Sequence, residues 1–304
     1  MSDTGTPAPA GSAASGQPTA GQPSAWQPSE RELARRVVRR TLHRRQLLTA
    51  SAVTLAVFGS LAFGVTQLPG WERVRETFFS LEHAQESFPA ILSGFWVNVK
   101  MFLIAEPIIL VLGLLVALAR QSRSAWLTPL RLVAVGYTDL FRGVPTILLV
   151  LLCGFGIPAL GLTGVTNDLF FWALVALVLS YGAYVAEVFR AGIESIHPSQ
   201  WASAQTLGLS RVQAMRHVIV PQAVRRVVPP LLNDFVSLQK DTALVSVIGI
   251  FDAVFSARDY GNYHFNYTAM VVVAAFFVAL TIPLARFTDR LQRRYAERER
   301  AGAR

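Results

Sequence analysis

The sequence has one cysteine and few charged residues, and these shortages exclude several kinds of site. Cys153 lies in an apolar run with no second cysteine to pair with, so it can form no internal disulfide and no cysteine metal cluster, and we interpret it as a small core residue. The only lysines, Lys100 and Lys240, follow Val99 and Gln239, so the chain lacks the Gly-Lys-Ser/Thr sequence of a phosphate-binding P-loop. The 5 histidines are scattered without the spacing of metal ligands, and we predict no zinc site.

Charged residues make up only 15% of the 304-residue chain, whereas 52% of its residues are hydrophobic. This composition is typical of a protein with several membrane spans. The net charge of +9 raises the question of a nucleic-acid partner. Most Lys and Arg residues, however, fall in alternate connections, at 31–45, 120–131, 190–226 and 286–304. This alternation is the positive-inside bias of membrane proteins, so we attribute the surplus charge to topology and expect no nucleic acid.

Residues 1–46 are predicted to form a cytoplasmic N-terminal tail that is first disordered and then basic. The segment 1–29 has almost no large apolar side chains to bury, whereas 30–46 is an Arg-rich helical segment. The uncharged run 47–68 is long enough to be an extra transmembrane helix. The run follows an Arg-Arg pair that resembles a twin-arginine secretion signal, but it is longer than a typical signal core and no clear A-x-A site follows. We therefore favour a retained anchor.

The remainder is predicted to be an all-α, polytopic membrane domain, which gives about six transmembrane helices in total. Residues 69–91 suit an extracytoplasmic interfacial segment because they are amphipathic and mixed in charge. Further spans are expected at 95–119, 137–160, 168–189, 230–251 and 268–287. Six spans place both termini in the cytoplasm, together with a basic tail at 292–304, and no alternating β pattern competes with this interpretation.

A stretch at 197–221 lies between two strongly apolar runs and is too polar to cross a bilayer. Trp201, Ala204 and Leu207 recur at the spacing of one helical face until Gly208 interrupts the pattern. The spacing predicts a short helix that ends at this glycine.

A second short helix is predicted directly afterwards. Ser210 with Gln213 has the pattern of a capping box, and Val212, Met215 and Ile219 recur on one side of the helix that would follow. This helix is expected to end before the proline at 221. Two short helices joined at a glycine predict a rigid projection at the membrane surface.

The stretch resembles a signature of the membrane-spanning permease subunits of ATP-binding-cassette (ABC) importers, specifically the polar amino acid group of histidine, glutamine and glutamate type. That signature reads roughly E-A-A, then a glycine after three more residues, then I-x-x-P or I-L-P. The matching residues are Ala202, Ser203, Ala204, Gly208, Ile219, Val220 and Pro221. Other matching blocks lie at 141–145, 184–193 and 240–249, so the resemblance covers about 92–291. Ala202 stands where the family usually has an acidic residue, which puts one polar contact in doubt.

The resemblance implies a permease domain at 92–291 whose coupling loop, 197–221, is held by a partner ATPase. The residues implied in that role are Trp201, Ala202, Ser203, Ala204, Leu207, Gly208, Leu209, Ile219 and Pro221. It also implies ABC ATPase subunits, an extracytoplasmic solute-binding protein, a second permease copy or a homologous permease, surrounding membrane lipids and an amino acid substrate. ATP and Mg would be bound by the partner ATPase, so this chain is expected to be no enzyme and to hold no cofactor.

Charged residues inside predicted spans are informative, because each costs roughly 2.5 to 3.5 kcal/mol at a helix centre. Asp139 with Arg142, and Glu187 with Arg190, are three residues apart and can pair on one helix face. We interpret both as structural ion pairs near helix ends. The resemblance places them beside the coupling loop, so a role in transmitting the motion of the ATPase is the alternative.

The predicted span 230–251 carries two neighbouring polar stripes, which would be too costly against lipid and should face a watery passage or another subunit. One stripe holds Asn233, Ser237 and Lys240, and the other holds Asp234 and Asp241. Lys240 and Asp241 offer the cation and the anion that a zwitterionic amino acid needs, and Glu106 is expected opposite as a further polar wall. The alternative is that Lys240 and Asp241 satisfy each other or Asp139 and never contact substrate.

Two other functions stay open at this point. An ion-coupled secondary transporter would use the intramembrane charges as its coupling site, although inverted repeats should then relate the halves of the chain, and we see none. A membrane scaffold would instead use the 197–221 projection to bind a different cytoplasmic partner.

Overall fold

The computed structural model describes residues 29–122 and 124–302, and within these ranges the chain is helical and has no β-strand. The segment predicted to be disordered is 1–29, and all of it except residue 29 lies outside the described residues. The helices are α1 Glu30–Thr66, α2 Trp71–Phe78, α3 Leu81–Gln121, α4 Thr128–Gly143, α5 Thr146–Leu151, α6 Ile157–Ala159, α7 Leu169–Glu194, α8 Pro198–Thr206, α9 Arg211–Ala214, α10 Val220–Asp241, α11 Ala253–His264 and α12 Thr268–Gly302. Tighter 3-10 turns cover Ala125–Leu127 and Thr242–Ile248, and wider π turns cover Leu152–Gly156 and Met215–Ile219. The all-α prediction is confirmed.

The chain divides into two compact units, and the first contains α1. Ser29 caps the helix by accepting a hydrogen bond from the Glu32 N–H at 3.4 Å. The predicted basic helical segment and the predicted anchor are therefore one continuous helix. Its part Leu42–Thr66 is long and apolar enough to cross a membrane.

In the second unit, α3 begins earlier than predicted. Ser80 caps it by accepting from the His83 N–H at 3.5 Å, with Glu82 in the first turn, and the helix runs unbroken to its end at 121. The predicted interfacial segment 69–91 therefore consists of the short α2 and the first turns of α3. A serine cap in front of a helical pattern was the local signal for this start.

The predicted span 137–160 is not one helix. The chain bends by 103° between Ala125–Gly143 and Thr146–Ala159. Val144, at the bend, is extended with φ −95° and ψ 129°. Pro145 is the reason, because a proline ring excludes the helical conformation at the residue before it.

The prediction that the second loop helix ends before Pro221 is wrong. The π turn that follows α9 runs directly into α10, which has Pro221 in its first turn. Proline is tolerated there because the wide turn removes the usual helical hydrogen bond that its missing N–H would break. Consequently α10 begins at Val220 rather than at 230.

The predicted span 230–251 is also wrong at its far end. The α-helix stops at Asp241, a 3-10 segment follows, and Gly249 takes a left-handed conformation with φ 88°. Asp252 then caps α11, which was not predicted, by accepting from the Phe255 N–H at 2.8 Å. The described residues contain four helices long and apolar enough to span a membrane, or up to five if the bent pair is one span. This count is below the predicted six because α10 carries charges along its length.

The main hydrophobic core forms where α3, α5, α7 and α10 meet, around Met101, Ile109, Leu177 and Leu238. The start of α10 lies very close to α7. A Cβ added at Gly192 would lie 2.0 Å from the Val227 Cγ2 atom. This approach fixes α10 against the end of α7, where the projection at 197–221 begins.

Candidate functional site

The projection at 197–221 has a buried base. Ile219 and Ala223 pack with Ile196 in a small apolar cluster, and Trp201 and Met215 cover it. The cluster joins the end of α7, the helix α8 and the start of α10. The base of the projection is therefore part of the folded core rather than a free loop.

The turn at the end of the projection is held by local hydrogen bonds. Gly208 is left-handed with φ 74°, and the Leu209 N–H donates to the Ala204 carbonyl at 3.1 Å. The capping box is confirmed, since the Ser210 N–H donates to Gln213 Oε1 at 2.9 Å and the Gln213 N–H donates to Ser210 Oγ at 3.3 Å. These contacts make the turn rigid.

The tip of the projection is apolar and exposed. Leu207 is 78% exposed and Val212 is 76% exposed, although each was placed by its spacing on the same helical face as residues that cover or form the base. The left-handed turn at Gly208 reverses the chain, which places both side chains away from the base. Ala202 and Ser203 are exposed as well.

Polar contacts tie the base to the neighbouring helices. The Arg226 guanidinium on α10 donates to the Ser195 carbonyl at the end of α7. Gln222 Nε2 donates to Gln200 Oε1 on α8 at 3.1 Å. The base of the projection is therefore attached to both α7 and α10.

One predicted ion pair is confirmed and has become a network. Glu187 pairs with Arg190, accepts from Arg120 Nη1 at 2.9 Å and lies 3.8 Å from Arg142 Nη1. Arg190 also pairs with Glu194. The network joins the ends of α3, α4 and α7.

The predicted pair of Asp139 with Arg142 is not formed. Within the described ranges, the carboxylate nearest to Arg142 is that of Glu187, on another helix. Asp139 is exposed and has no ion pair among the described residues. A spacing of three residues allows a pair, but the half-buried carboxylate of Glu187 is screened less by water than the exposed Asp139 and attracts the arginine more strongly.

The polar stripes of α10 divide among different partners. Asn233 Oδ1 accepts from Gln292 Nε2 on α12 at 3.2 Å. Ser237 is half-buried, and Lys240 is exposed with no ion pair among the described residues. Asp241 Oδ2 accepts from the Tyr181 hydroxyl at 2.7 Å. Lys240 and Asp241 therefore do not form a salt bridge with each other or with Asp139.

Glu106 on α3 and Asp234 on α10 belong to helices that contact each other. Asp234 Oδ2 is buried and makes no hydrogen bond within the described residues. That Glu106 forms a further polar wall opposite Lys240 and Asp241 stays a prediction.

Sequence reasoning missed a buried polar clamp. Asn98 Nδ2 donates to the Thr242 carbonyl at 3.1 Å and to Asp252 Oδ2 at 3.0 Å, and the Ala253 N–H donates to Asn98 Oδ1 at 3.1 Å. The clamp fixes the 3-10 segment that follows α10. Asp252 directly before an alanine-rich turn was a capping signal, whereas Asn98 had no local signal.

Tyr181 and Arg120 were also missed, since each contacts a charge on a different helix.

No group of three or more His, Cys, Asp or Glu side chains within the described ranges is placed to hold a metal ion.

Comparison with known proteins identifies the family. Residues 109–297 match the model of the binding-protein-dependent transport system inner membrane component. A probable amino-acid ABC transporter permease, YckA of Bacillus subtilis, is 33% identical over 224 residues, which cover 73% of this chain and 96% of that protein. The arginine transport system permease ArtQ of the same organism is 34% identical over 186 residues, which cover 61% of this chain and 83% of that protein.

Solved structures agree. A crystal structure of an amino acid ABC transporter with histidines matches with a TM-score of 0.65 at 31% identity and covers 71% of this chain and 98% of that one. The MetNI methionine transporter, at 20% identity and a TM-score of 0.56, shares the fold. With several apolar helices long enough to span a bilayer, the protein is a multi-pass membrane protein that belongs to the family of inner membrane components of binding-protein-dependent transport systems.

Proposed function

We propose that this permease translocates polar amino acids across the cytoplasmic membrane and that separate ABC ATPase subunits drive it by holding the projection at 197–221. The relatives support the substrate class, since their names give arginine and glutamine. The observation that carries the proposal is the projection itself, which has a buried base on α7 and α10 and an exposed apolar tip at Leu207 and Val212.

Energy from the ATPase reaches α10 through rigid contacts. A partner that holds the tip moves a turn fixed by its capping box, and the base passes that motion to α10 through Ile219 and Arg226. This is rigid-body coupling through a packed interface. Ala202, where the family usually has an acid, leaves the partner to rely on the apolar tip.

The far end of α10 is proposed to line the passage. Lys240 is exposed and Asp234 has an unpartnered oxygen, and neither group can face lipid at low cost. A second permease copy, or a homologous permease, completes the enclosure, and the extracytoplasmic binding protein delivers the substrate to it. Lys240 then meets the carboxylate of the amino acid and Asp241 meets its ammonium group.

The orientation follows from charge. The basic segments 31–45, 120–131, 190–226 and 286–304 belong on the cytoplasmic side, together with both termini. Labelling of Thr206→Cys by a membrane-impermeant maleimide tests this, with little background because Cys153 is buried. Labelling of inverted vesicles and protection in intact cells is expected, and the opposite pattern rejects the orientation.

The decisive experiment changes the tip. Leu207→Asp with Val212→Asp should reduce binding-protein-stimulated ATP hydrolysis by more than tenfold in the reconstituted complex, because burying each apolar side chain contributes roughly 1.5 to 3 kcal/mol. Leu207→Met with Val212→Ile keeps the apolar surface and serves as the matched control. Unchanged hydrolysis and co-purification of the ATPase with the aspartate variant would reject docking at this tip.

A further inference from the structure

A pocket of about 790 Å³ opens beside the base of the projection. Its walls come from the end of α3, the first turn of α4, the end of α7, the helices α8 and α9 and the turn that follows α9. Two membrane-spanning helices end at this level, at Gln121 and Glu194. The pocket therefore lies where the hydrocarbon of a bilayer gives way to lipid headgroups.

The lining is rich in positive charge. Arg120, Arg131 and Arg211 all line the pocket, and Glu194 is the only carboxylate among its described lining residues. The charge of Glu194 is neutralised by Arg190, outside the lining. The pocket as a whole is therefore cationic.

Two of these arginines have no anionic partner among the side chains that the structure describes. Arg120 is paired with Glu187, but Arg131 donates only to the Ser122 carbonyl, at 3.5 Å. Arg211 is exposed. Across residues 29–122 and 124–302, no carboxylate lies within salt-bridge distance of Arg131 or Arg211.

The uncharged part of the lining is mixed, with Gln121, Ser122 and Gln205 beside apolar side chains, and an exposed tryptophan lies nearby. Leu118, Ile193 and Met215 form the apolar part of the wall. Trp126, on the segment between α3 and α4, is 93% exposed, and Leu130 on α4 is exposed too. Exposed tryptophan is typical of the headgroup level of a membrane. A ligand of this pocket thus has a negative group and an apolar portion that continues into the bilayer.

We propose that the pocket binds an anionic phospholipid, with the headgroup phosphate between Arg131 and Arg211 and an acyl chain against Leu118 and Met215. Basic pockets between transmembrane helices bind such headgroups by the same combination of charge and depth. The lipid would link the ends of α3 and α7 to the base of the projection. The site is separate from the tip at Leu207 and Val212 and does not depend on amino-acid transport.

The test uses the full chain, purified in detergent without ATPase subunits and titrated with phosphatidylglycerol or phosphatidylcholine in native mass spectrometry. The wild type should prefer phosphatidylglycerol. Arg131→Gln with Arg211→Gln should weaken that binding roughly 30-fold, because each arginine near an anionic headgroup is worth about 1 kcal/mol. Arg211→Gln alone, an exposed change that leaves packing intact, should weaken it roughly fivefold.

The matched control is Arg225→Gln with Arg290→Gln, which removes the same charge from exposed positions outside the pocket. It should bind phosphatidylglycerol like the wild type. Equal loss in the control, or no preference over phosphatidylcholine, would overturn the proposal. Displacement of the lipid by millimolar glycerol phosphate would also overturn it, since the pocket would then select soluble phosphate. Because no ATPase is present, none of these results bears on the docking of the tip.

Discussion

Two groups of charged residues lie along the helices of the permease, and they differ in whether their charges are paired within the described residues. At the end of α7, Glu187 is surrounded by Arg120, Arg142 and Arg190. At the end of α10, Lys240 is exposed without an ion pair among the described residues, and Asp241 has only the Tyr181 hydroxyl. The first group is satisfied within the chain, whereas the second has capacity left for a ligand or a second subunit.

The difference separates structure from function more clearly than the residue types do. Removing one member of a satisfied, partly buried cluster leaves opposite charges unpaired, so it should lower the stability of the fold. Removing a member of the unsatisfied group should leave the stability of the fold unchanged and alter amino acid transport. Thermal unfolding and amino acid uptake therefore distinguish the two groups.

The largest effect is expected at Glu187. Glu187→Gln leaves three arginines without their shared carboxylate and should destabilise the permease by about 2 kcal/mol, less than for a fully buried pair because the cluster is partly exposed. Thermal unfolding in detergent measures this change. Asp139→Asn is the control, because Asp139 is exposed and unpaired within the described ranges, and it should change stability by less than about 0.5 kcal/mol. If the two variants were equally stable, the network at the end of α7 would not be structural.

The next effect is on transport. Lys240→Met and Asp241→Asn should each lower uptake by about tenfold or more, the loss of one charged contact with substrate. The thermal stability of the complex should stay unchanged in Lys240→Met and fall by less than about 1 kcal/mol in Asp241→Asn, where the amide oxygen can still accept from Tyr181. Ser237→Ala, on the same stripe but without charge, should keep most of the uptake. Full transport by both charge variants would show that these side chains never meet the amino acid.

A smaller effect on uptake is expected at Tyr181, which links α7 to the end of α10. Tyr181→Phe removes the hydrogen bond to Asp241 and should cost about 1.5 kcal/mol, as for a bond to a charged group. Uptake should fall less than in Asp241→Asn, because the carboxylate stays in place. An uptake loss as large as that of Asp241→Asn would instead make Tyr181 part of the passage.

Local signals in the sequence predicted local structure well. The capping box at Ser210 and Gln213 was predictable because both partners lie within one helical turn. The pairing of Glu187 with Arg190 was predictable for the same reason. Pro145 carried the signal for the bend after α4, although the apolar run around it favoured a continuous span.

Contacts between helices could not be predicted in this way. Arg142 pairs with Glu187 rather than with Asp139 because α4 packs on α7, and no spacing within α4 contains that information. The exposure of Leu207 depends likewise on how the turn at Gly208 is placed. The sequence therefore predicted which residues are polar within the spans, and only the packing of the helices shows which of them stay unsatisfied.

The smallest effect on stability is expected at Asp234, where the substitution should stabilise the protein rather than destabilise it. Its Oδ2 atom is buried without a hydrogen bond among the described residues. Asp234→Asn removes this unpaired charge with little change in shape and should raise stability by about 1 kcal/mol, measured as thermal unfolding beside Asn233→Asp as a control that adds charge. A fall in stability would mean that Asp234 is already paired in the assembled membrane protein, and the contrast between the two charge groups would then not hold at this position.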